Sequence, residues 1–166
     1  MTVQTTIETQ IISHSRKSFA EVIAKIESLV SKSDRSIFER TLAAQTVQER
    51  IDAVESLKRR SGFMVLNFAD LDDCLWTPML LPSARLYVLL NPLISFRMME
   101  IAPAAGLYLP VRVLVYEGSD GETSVVCDRP SAQLGEMAQN ATVRTVAETL
   151  DAALEELVER SVLLES

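Results

Sequence analysis

The stretch EIAPAAGLYLPVRVLVYEGSDG, residues 100–121, decides the fold because it marks a helix end, a crossing segment and a strand start. Pro103 disfavours helical geometry at Ala102 and ends the preceding helical pattern. Gly106 permits a turn that a side chain would hinder. Pro110 stands at the start of a strand, where no ladder hydrogen bond is lost. The stretch therefore predicts a rigid corner that leads into a β-strand.

A β-hairpin is predicted directly after this corner. The segments VRVLVYE at 111–117 and ETSVVC at 122–127 are rich in β-branched residues, and Asp120-Gly121 lies between them. An Asp-Gly pair between two such runs is typical of a hairpin turn. We therefore expect the two segments to pair as antiparallel neighbours.

The rest of the chain alternates between strand and helix patterns. Period-two alternation predicts a strand at 3–12, and Ser18 with Glu21 forms a capping box that opens an amphipathic helix. The other predicted elements are helices at about 35–44 and from Thr46 onward, an inner strand at 63–68, an irregular loop at 71–83, a strand at 84–91, a short helix from Asn91-Pro92 to about Ala102, and a C-terminal helix over the apolar positions 143–158 with Thr145 and Glu148 at its start.

The order β-α-(α-α)-β-β-α-β-β-α predicts an α+β fold. We expect a two-layer sandwich whose mostly antiparallel sheet has a ferredoxin-like core and carries its helices on one face. A chain of 166 residues fits one domain, so residues 1–166 are interpreted as a single unit with a helical insertion at about 33–60.

Composition excludes several classes of function. Sixteen Lys and Arg against 23 Asp and Glu give a net charge of −7, which argues against nucleic-acid binding. No apolar run approaches the ~20 residues of a membrane helix, and the N-terminus lacks a signal-peptide pattern, so a cytoplasmic location without membrane contact is expected. Cys74 and Cys127 are too far apart for a CxxC pair and are interpreted as small buried hydrophobic residues.

The chain also lacks the common cofactor and metal motifs. His14 is the only histidine, stands in a polar stretch that we interpret as a surface turn, and cannot form a multi-histidine metal site. GxSxG, GxGxxG and GxxxxGK patterns are missing from the sequence. We therefore expect neither a cofactor nor a metal.

The same central residues resemble a known family. Asn-Pro at 91–92, APAAGLYLPVRVLVYE at 102–117 and the Asp-Gly turn are similar to the domain of unknown function 302 (DUF302) family, most strongly over 85–130. The resemblance implies a compact α+β domain, often dimeric, of unsettled activity. The chain departs from the family pattern at Leu90, where a glycine is usual, at the bulky LISFRMM segment that follows Asn-Pro, and in the length of the 33–60 insertion.

Arg112 is the sharpest candidate for a binding residue. Strand alternation places Arg112, Leu114 and Tyr116 on one face of the sheet. A guanidinium group offers a planar fork of donors for a carboxylate or carbonyl. The alternative is a solvated or ion-paired arginine on an open sheet face. Asn91 and Tyr87 lie toward the end of another predicted strand, and we expect them to join Arg112 and Tyr116 in a ligand-binding cleft.

Three functions follow as hypotheses. The leading one is a small cytoplasmic domain, a homodimer, that binds a small, partly apolar ligand with an acidic or carbonyl group. The second is an enzyme of the lyase or isomerase type, independent of metal and nucleotide, with Glu100, Tyr116 or Asp128 as acid–base groups. The third is a protein-interaction module. A buried carboxylate in a closed pocket would favour the enzyme, and a flat apolar sheet face would favour the module.

Overall fold

The computed structural model describes residues 4–7, 9–32, 43, 45–55, 61–74 and 82–163. Its strands are β1 (Gln4–Ile7), β2 (Gln10–Ser15), β3 (Ser31–Lys32), β4 (Met64–Asp70), β5 (Ala84–Leu90), β6 (Val111–Glu117) and β7 (Thr123–Asp128). Its α-helices are α1 (Phe19–Leu29), α2 (Val47–Glu55), α3 (Leu71–Cys74), α4 (Pro92–Ile101), α5 (Pro130–Gln133) and α6 (Ala141–Val162), and 3-10 turns cover Pro103–Tyr108 and Gly135–Gln139.

The strands form one seven-stranded sheet in the order β1-β2-β7-β6-β5-β4-β3. Every neighbouring pair is antiparallel except β3 with β4. The predicted α+β class with a mostly antiparallel sheet is therefore confirmed.

The strand neighbours differ from those of a ferredoxin-like core. In that pattern one strand separates the two parallel strands that a helix connects, as in a split βαβ unit. Here α1 leads from β2 to the β3–β4 edge, and three strands lie between β2 and β4. The β6–β7 hairpin accounts for the two additional strands, because both of its strands lie between β2 and β5. Strand β6 pairs with β5 and β7 pairs with β2.

One face of the sheet contacts the helices and the other does not contribute to their shared core. Val111, Val113 and Val115 are buried in a cluster that includes residues of α1 and α6. Arg112, Leu114 and Tyr116 alternate with them and therefore lie on the opposite face, here called the open face. Whether two candidate binding residues can meet therefore depends first on whether they lie on the same face of the sheet.

The corner predicted around the prolines is present. Asn91 is the N-cap of α4 and its side chain accepts a hydrogen bond from the Ile94 N–H. Pro92 occupies the first turn, and α4 ends before Pro103. The role of Gly106 differs from the prediction: it has no left-handed backbone, but a Cβ there would lie 3.1 Å from Met99 Cε. Close packing, rather than a turn conformation, favours glycine at this position.

The β6–β7 hairpin is confirmed. Tyr116 pairs with Ser124, and the Gly118 N–H donates to the Glu122 carbonyl at 2.8 Å. Gly121 has a φ of 78°, in the left-handed region that glycine adopts without the steric cost of a Cβ.

The first predicted strand is two strands. The alternation over 3–12 spans β1 and the start of β2, which pair antiparallel across a turn at Thr9. The alternation of apolar and polar residues continues through the two-residue connection between β1 and β2. A pattern of period two therefore does not show where one strand ends and the next begins. The histidine interpreted as a turn residue, His14, instead lies in β2, and its Nδ1 shares a 2.8 Å hydrogen bond with Ser124 Oγ.

The segment 63–68, predicted as an inner strand, lies close to the sheet edge. Among the described residues β3 pairs only with Met64 and Val65, so the rest of β4 has a described strand on one side only. Leu66 and Phe68 are consequently 41% and 48% exposed. An apolar run in the sequence indicates a hydrophobic strand, but it does not indicate whether that strand lies in the middle or at the edge of the sheet.

The helix ends are partly as predicted. The predicted start of α2 at Thr46 is confirmed, and a capping box forms it: the Glu49 N–H donates to Thr46 Oγ1 at 3.1 Å and the Thr46 N–H donates to Glu49 Oε2 at 3.2 Å. The C-terminal helix begins earlier than predicted, at Ala141, and its cap is Asn140 rather than Thr145. The helix predicted at 35–44 lies outside the described residues apart from Ala43, which is helical. The irregular loop predicted at 71–83 is wrong at its start, where Leu71–Cys74 form α3, and residues 75–81 lie outside the described residues.

Candidate functional site

The four residues expected to form the Arg112 cleft do not converge. Arg112 and Tyr116 share the open face of β6, but four residues along a strand separate them by roughly 13 Å. Tyr87 pairs with Val113, so it lies on the helix-covered face. Asn91 is buried as the cap of α4. The structure therefore separates the predicted set into three places.

Arg112 lines a small polar pocket where β6 begins and β7 ends. Its Nη2 lies 3.4 Å from Asp128 Oδ2, and its side chain is 65% exposed. Tyr108 and Gln133 complete the polar lining of this pocket, whose volume is about 270 Å³. This arrangement is an exposed ion pair, the alternative considered for Arg112, beside a shallow depression.

The three acid–base candidates do not share a site either. Glu100 is exposed on α4, which packs in the helix layer. Tyr116 pairs with Ser124, whereas Asp128 lies at the far end of the same strand, β7. Ser124 and Asp128 are four residues apart along β7, so Tyr116 and Asp128 are separated by roughly 13 Å and cannot both contact the same reacting atoms.

A larger pocket lies where β4 runs past the end of α1. Its volume is about 370 Å³. We call it the β4 groove, and its lining residues are Glu27, Val30, Lys32, Val65, Leu66, Asn67, Phe68 and Tyr87. It opens on the helix-covered side of the sheet, beyond the part of that face that α1 covers.

Local structure explains how these side chains meet. The last turn of α1 supplies Glu27, and β3, which follows at once, supplies Lys32. A register shift between Val65 and Asn67 bends β4 at Leu66. Because β3 ends at Lys32, no described strand covers the rest of β4, and the groove remains open there.

A network of charged and aromatic groups supports one wall of the groove, to which it contributes Glu27, Phe68 and Tyr87. Arg85 makes a bidentate pair with Asp70, with Nε 2.6 Å from Oδ1 and Nη2 2.9 Å from Oδ2. Its Nη1 donates to Glu27 Oε1 at 3.0 Å. The guanidinium also stacks on the Phe68 ring, 4.6 Å from its centroid. Stacked bidentate geometry holds Arg85, and with it Glu27, in one orientation.

Two groups of this network have shifted pKa values. Hydrogen bonding to Arg85 holds the pKa of Asp70 below its usual value. Burial raises the pKa of Tyr87 to about 12. At neutral pH the Tyr87 hydroxyl is therefore protonated, and it donates to Glu27 Oε1 at 3.3 Å.

Comparison with known proteins places the chain in a family. Residues 38–161 match the family model described as domain of unknown function DUF302. The chain belongs to the DUF302 family. The resemblance carried by the Asn-Pro and Ala-Pro-Ala-Ala-Gly segments is therefore confirmed, and the match begins within the predicted 33–60 insertion.

A solved structure shares the fold of this DUF302 chain. The crystal structure of an uncharacterized conserved DUF302 protein from Bacillus stearothermophilus matches with a TM-score of 0.64 at 18% identity, covering 92% of this chain and 97% of that one. No curated protein matches the sequence. The comparisons thus establish family and fold.

Sequence reasoning identified Tyr87 in this DUF302 chain but missed its partners Glu27, Arg85 and Phe68. One signal was available: Arg85 and Tyr87 are two residues apart on a strand, and so are Phe68 and Asp70 on another, so each pair shares a face. What the sequence lacked was the register, which sets Asp70 opposite Arg85 and Phe68 opposite Tyr87.

Cysteine chemistry, metal binding and membrane spanning have no support from the described part of this DUF302 chain. Cys127 is buried, as predicted, and burial raises its thiol pKa to about 12, which keeps it protonated. The described residues contain no group of three His, Cys, Asp or Glu side chains arranged to hold a metal. Across the same residues, no helix has the length and apolar character needed to cross a membrane.

Proposed function

We propose that this DUF302 domain binds a small, partly apolar ligand with an acidic or carbonyl group, and that the β4 groove is the site. The observation that supports this function is the combination, in one 370 Å³ groove, of exposed apolar side chains with a cation and an oriented carboxylate. Pockets of roughly 300–1,000 Å³ with few, well-placed polar groups are typical of small-molecule sites.

The apolar part of the ligand would contact β4. Leu66 and Phe68 are about half exposed, although both stand beside the buried core residues Val30 and Tyr87. Exposed apolar area next to a concave surface favours an apolar ligand, because binding removes that area from water.

The acidic or carbonyl group would contact Lys32. This residue is exposed at the end of β3 and lines the groove. No carboxylate among the described residues forms an ion pair with it, so its ammonium is available to an oxygen of the ligand.

The Arg112 pocket is a weaker candidate for the same function. Arg112 already pairs with Asp128, and its side chain is largely exposed to water. An exposed pair of this kind contributes little energy, and a ligand there would have to displace Asp128 and would gain little apolar contact.

The enzyme hypothesis has less support from the geometry. A buried carboxylate is present in Asp151, whose side chain is 6% exposed. It accepts from Ser131 at both the backbone N–H and the hydroxyl, and it pairs with Arg129, so it ties α5 to α6. Neither pocket described above includes Asp151 in its lining.

An aromatic substitution tests the groove with a matched control. We expect Phe68→Ala to weaken binding of the anionic apolar dye anilinonaphthalene sulfonate roughly tenfold, since an aromatic contact contributes about 1–1.5 kcal/mol. Phe96→Ala removes an equally exposed ring from α4, at 50% exposure against 48%, and should leave the affinity unchanged. Fluorescence titration gives both dissociation constants. Equal affinities for the wild type and Phe68→Ala would contradict the proposed site.

We also propose that the open face pairs with a second copy of the chain. Ile12, Val126, Leu114 and Leu86 stand opposite one another in register and form an apolar row across four strands. The neighbouring row carries Arg112 and Asp128, so a copy related by a two-fold axis offers each charge an opposite partner. A half-buried apolar row flanked by complementary charges is suited to an isologous dimer interface.

A further inference from the structure

The two oxygens of Glu27 have different surroundings. Oε1 accepts from both Arg85 Nη1 and the Tyr87 hydroxyl. Oε2 has no hydrogen-bond partner within the described part of the chain, although the side chain is only 38% exposed. Each carboxylate oxygen can accept two hydrogen bonds. Glu27 therefore presents one unused acceptor in the wall of the groove.

The local charges leave this acceptor without a cation. Arg85 is shared by two carboxylates, and its bidentate contact is with Asp70, whose oxygens both take part. One positive charge against two negative charges leaves an excess of one negative charge at Glu27. The Lys32 ammonium lines the same groove on the neighbouring element, β3. The groove therefore has a negative group and a positive group joined by an apolar wall.

We infer that the ligand of the β4 groove carries two polar groups: an ammonium or amide N–H for Glu27 and a carboxylate or carbonyl for Lys32. A free amino acid with an apolar side chain, or a compound of the same pattern, has this chemistry. Its side chain packs on Leu66 and Phe68. This inference rests on the proposed function of the groove and adds the nitrogen group to it.

The Arg85 network makes Glu27 suited to this role. Bonds from Arg85 and Tyr87 orient the carboxylate before any ligand arrives, so binding does not have to order it. A charged hydrogen bond between a fixed carboxylate and an ammonium group discriminates strongly against ligands that lack the donor, because Glu27 would otherwise lose water without a replacement.

A series of compounds with a common phenyl group tests the inference on the wild-type chain. The probes are phenylalanine, with both polar groups, phenylethylamine, with the ammonium alone, phenylpropanoate, with the carboxylate alone, and phenylethanol, with neither. We expect phenylalanine to bind at least about tenfold more tightly than either singly charged probe. Amide NMR titration measures the dissociation constants and shows which residues shift.

Two substitutions assign each polar contact. In Glu27→Gln, phenylalanine should lose its advantage over phenylpropanoate and keep its advantage over phenylethylamine. In Lys32→Met the reverse should hold. Glu148→Gln changes an exposed carboxylate on α6 and is the matched control, with no change expected. Thermal melts of each variant verify that the fold is retained, and the wild-type series remains decisive if a variant is unstable.

The outcomes distinguish a failure of the proposed two-group ligand from a failure of the β4 groove as a binding site. Phenylpropanoate binding as tightly as phenylalanine would overturn the nitrogen contact and leave an acidic ligand in the groove. Phenylethylamine binding as tightly as phenylalanine would overturn the Lys32 contact. If none of the four probes binds while the dye still depends on Phe68, the inference fails and the groove stands. If dye binding is also independent of Phe68, the proposed function itself fails.

Discussion

At the scale of single residues, Arg85 organises the candidate site. It links Asp70 on β4 to Glu27 on α1, and its stacking on Phe68 adds a third contact. Its side chain is 19% exposed, so these contacts are less screened by water than the Arg112–Asp128 pair at 65% and 37%. Arg85 is therefore expected to contribute more to stability than Arg112, because it is more buried and has more partners.

The Asp70 contact should appear in the acid stability of the protein. Because Arg85 lowers the pKa of Asp70 in the folded state, the contact stabilises the fold above the usual aspartate pKa and is lost as the pH falls through the lowered value. We expect Asp70→Asn to reduce the free energy of unfolding by about 1–2 kcal/mol at neutral pH. The difference from the wild type should shrink as the pH is lowered below about 4.

Denaturant unfolding at a series of pH values measures this dependence. Asp52→Asn, at an exposed carboxylate on α2 that accepts from Gln48, is the control and should follow the wild type. A difference between Asp70→Asn and the wild type that stays constant down to acidic pH would contradict the assignment.

At the scale of elements, caps decide where helices begin. α1 and α2 each start at a capping box, and α4 starts at Asn91-Pro92. All three starts carry their signal within four residues of sequence. The start of α6 is less clear from the sequence, because asparagine and threonine are both common N-caps. In the structure only Asn140 accepts hydrogen bonds from the free N–H groups of the first turn.

The two candidate caps of α6 should differ in their effect on stability. Asn140 Oδ1 accepts from the Thr142 and Val143 N–H groups, so Asn140→Ala should cost about 1 kcal/mol. Thr145 Oγ1 donates back to the Ala141 carbonyl inside the helix, so Thr145→Ala should be neutral or slightly stabilising. Thermal or denaturant unfolding of both variants provides the comparison, and equal losses would contradict Asn140 as the cap.

At the scale of the whole molecule, the two faces of the sheet have different roles. The helix-covered face carries the core, which α1 and α6 share, and the β4 groove lies at its edge. The open face carries the apolar row around Leu114. The two binding surfaces that we propose therefore lie on opposite sides of the sheet.

The open face should determine the oligomeric state. We expect the wild type to be a dimer in analytical ultracentrifugation and Leu114→Glu to be a folded monomer, because a charge at the centre of the row has no partner in the interface. Val47→Glu introduces the same charge at a position that is 59% exposed at the start of α2, away from the open face, and should leave the dimer intact. A wild type that sediments as a monomer at all accessible concentrations would contradict the proposal.

Short-range patterns in the sequence were sufficient for much of the fold. The capping boxes, the Asn-Pro helix start, the Asp-Gly hairpin and the alternation of β6 each involve residues a few positions apart, and local backbone preferences are the forces that act over that distance. The Asn-Pro and Ala-Pro-Ala-Ala-Gly segments also sufficed to indicate the family. Alternation placed Arg112 and Tyr116 correctly on one face, which is a consequence of strand geometry alone.

Tertiary structure alone decided the order of the strands and the location of the candidate site. Whether Tyr87 meets Arg112 or Glu27 depends on which face of β5 the helices cover. The exposure of Phe68 depends on how far β3 extends along β4, and within the described residues β3 pairs only with Met64 and Val65. The close approach of Gly106 to Met99 and the pairing of Asp70 with Arg85 likewise join residues separated along the chain. Such contacts depend on the simultaneous packing of several elements, and no local preference of the chain specifies that packing.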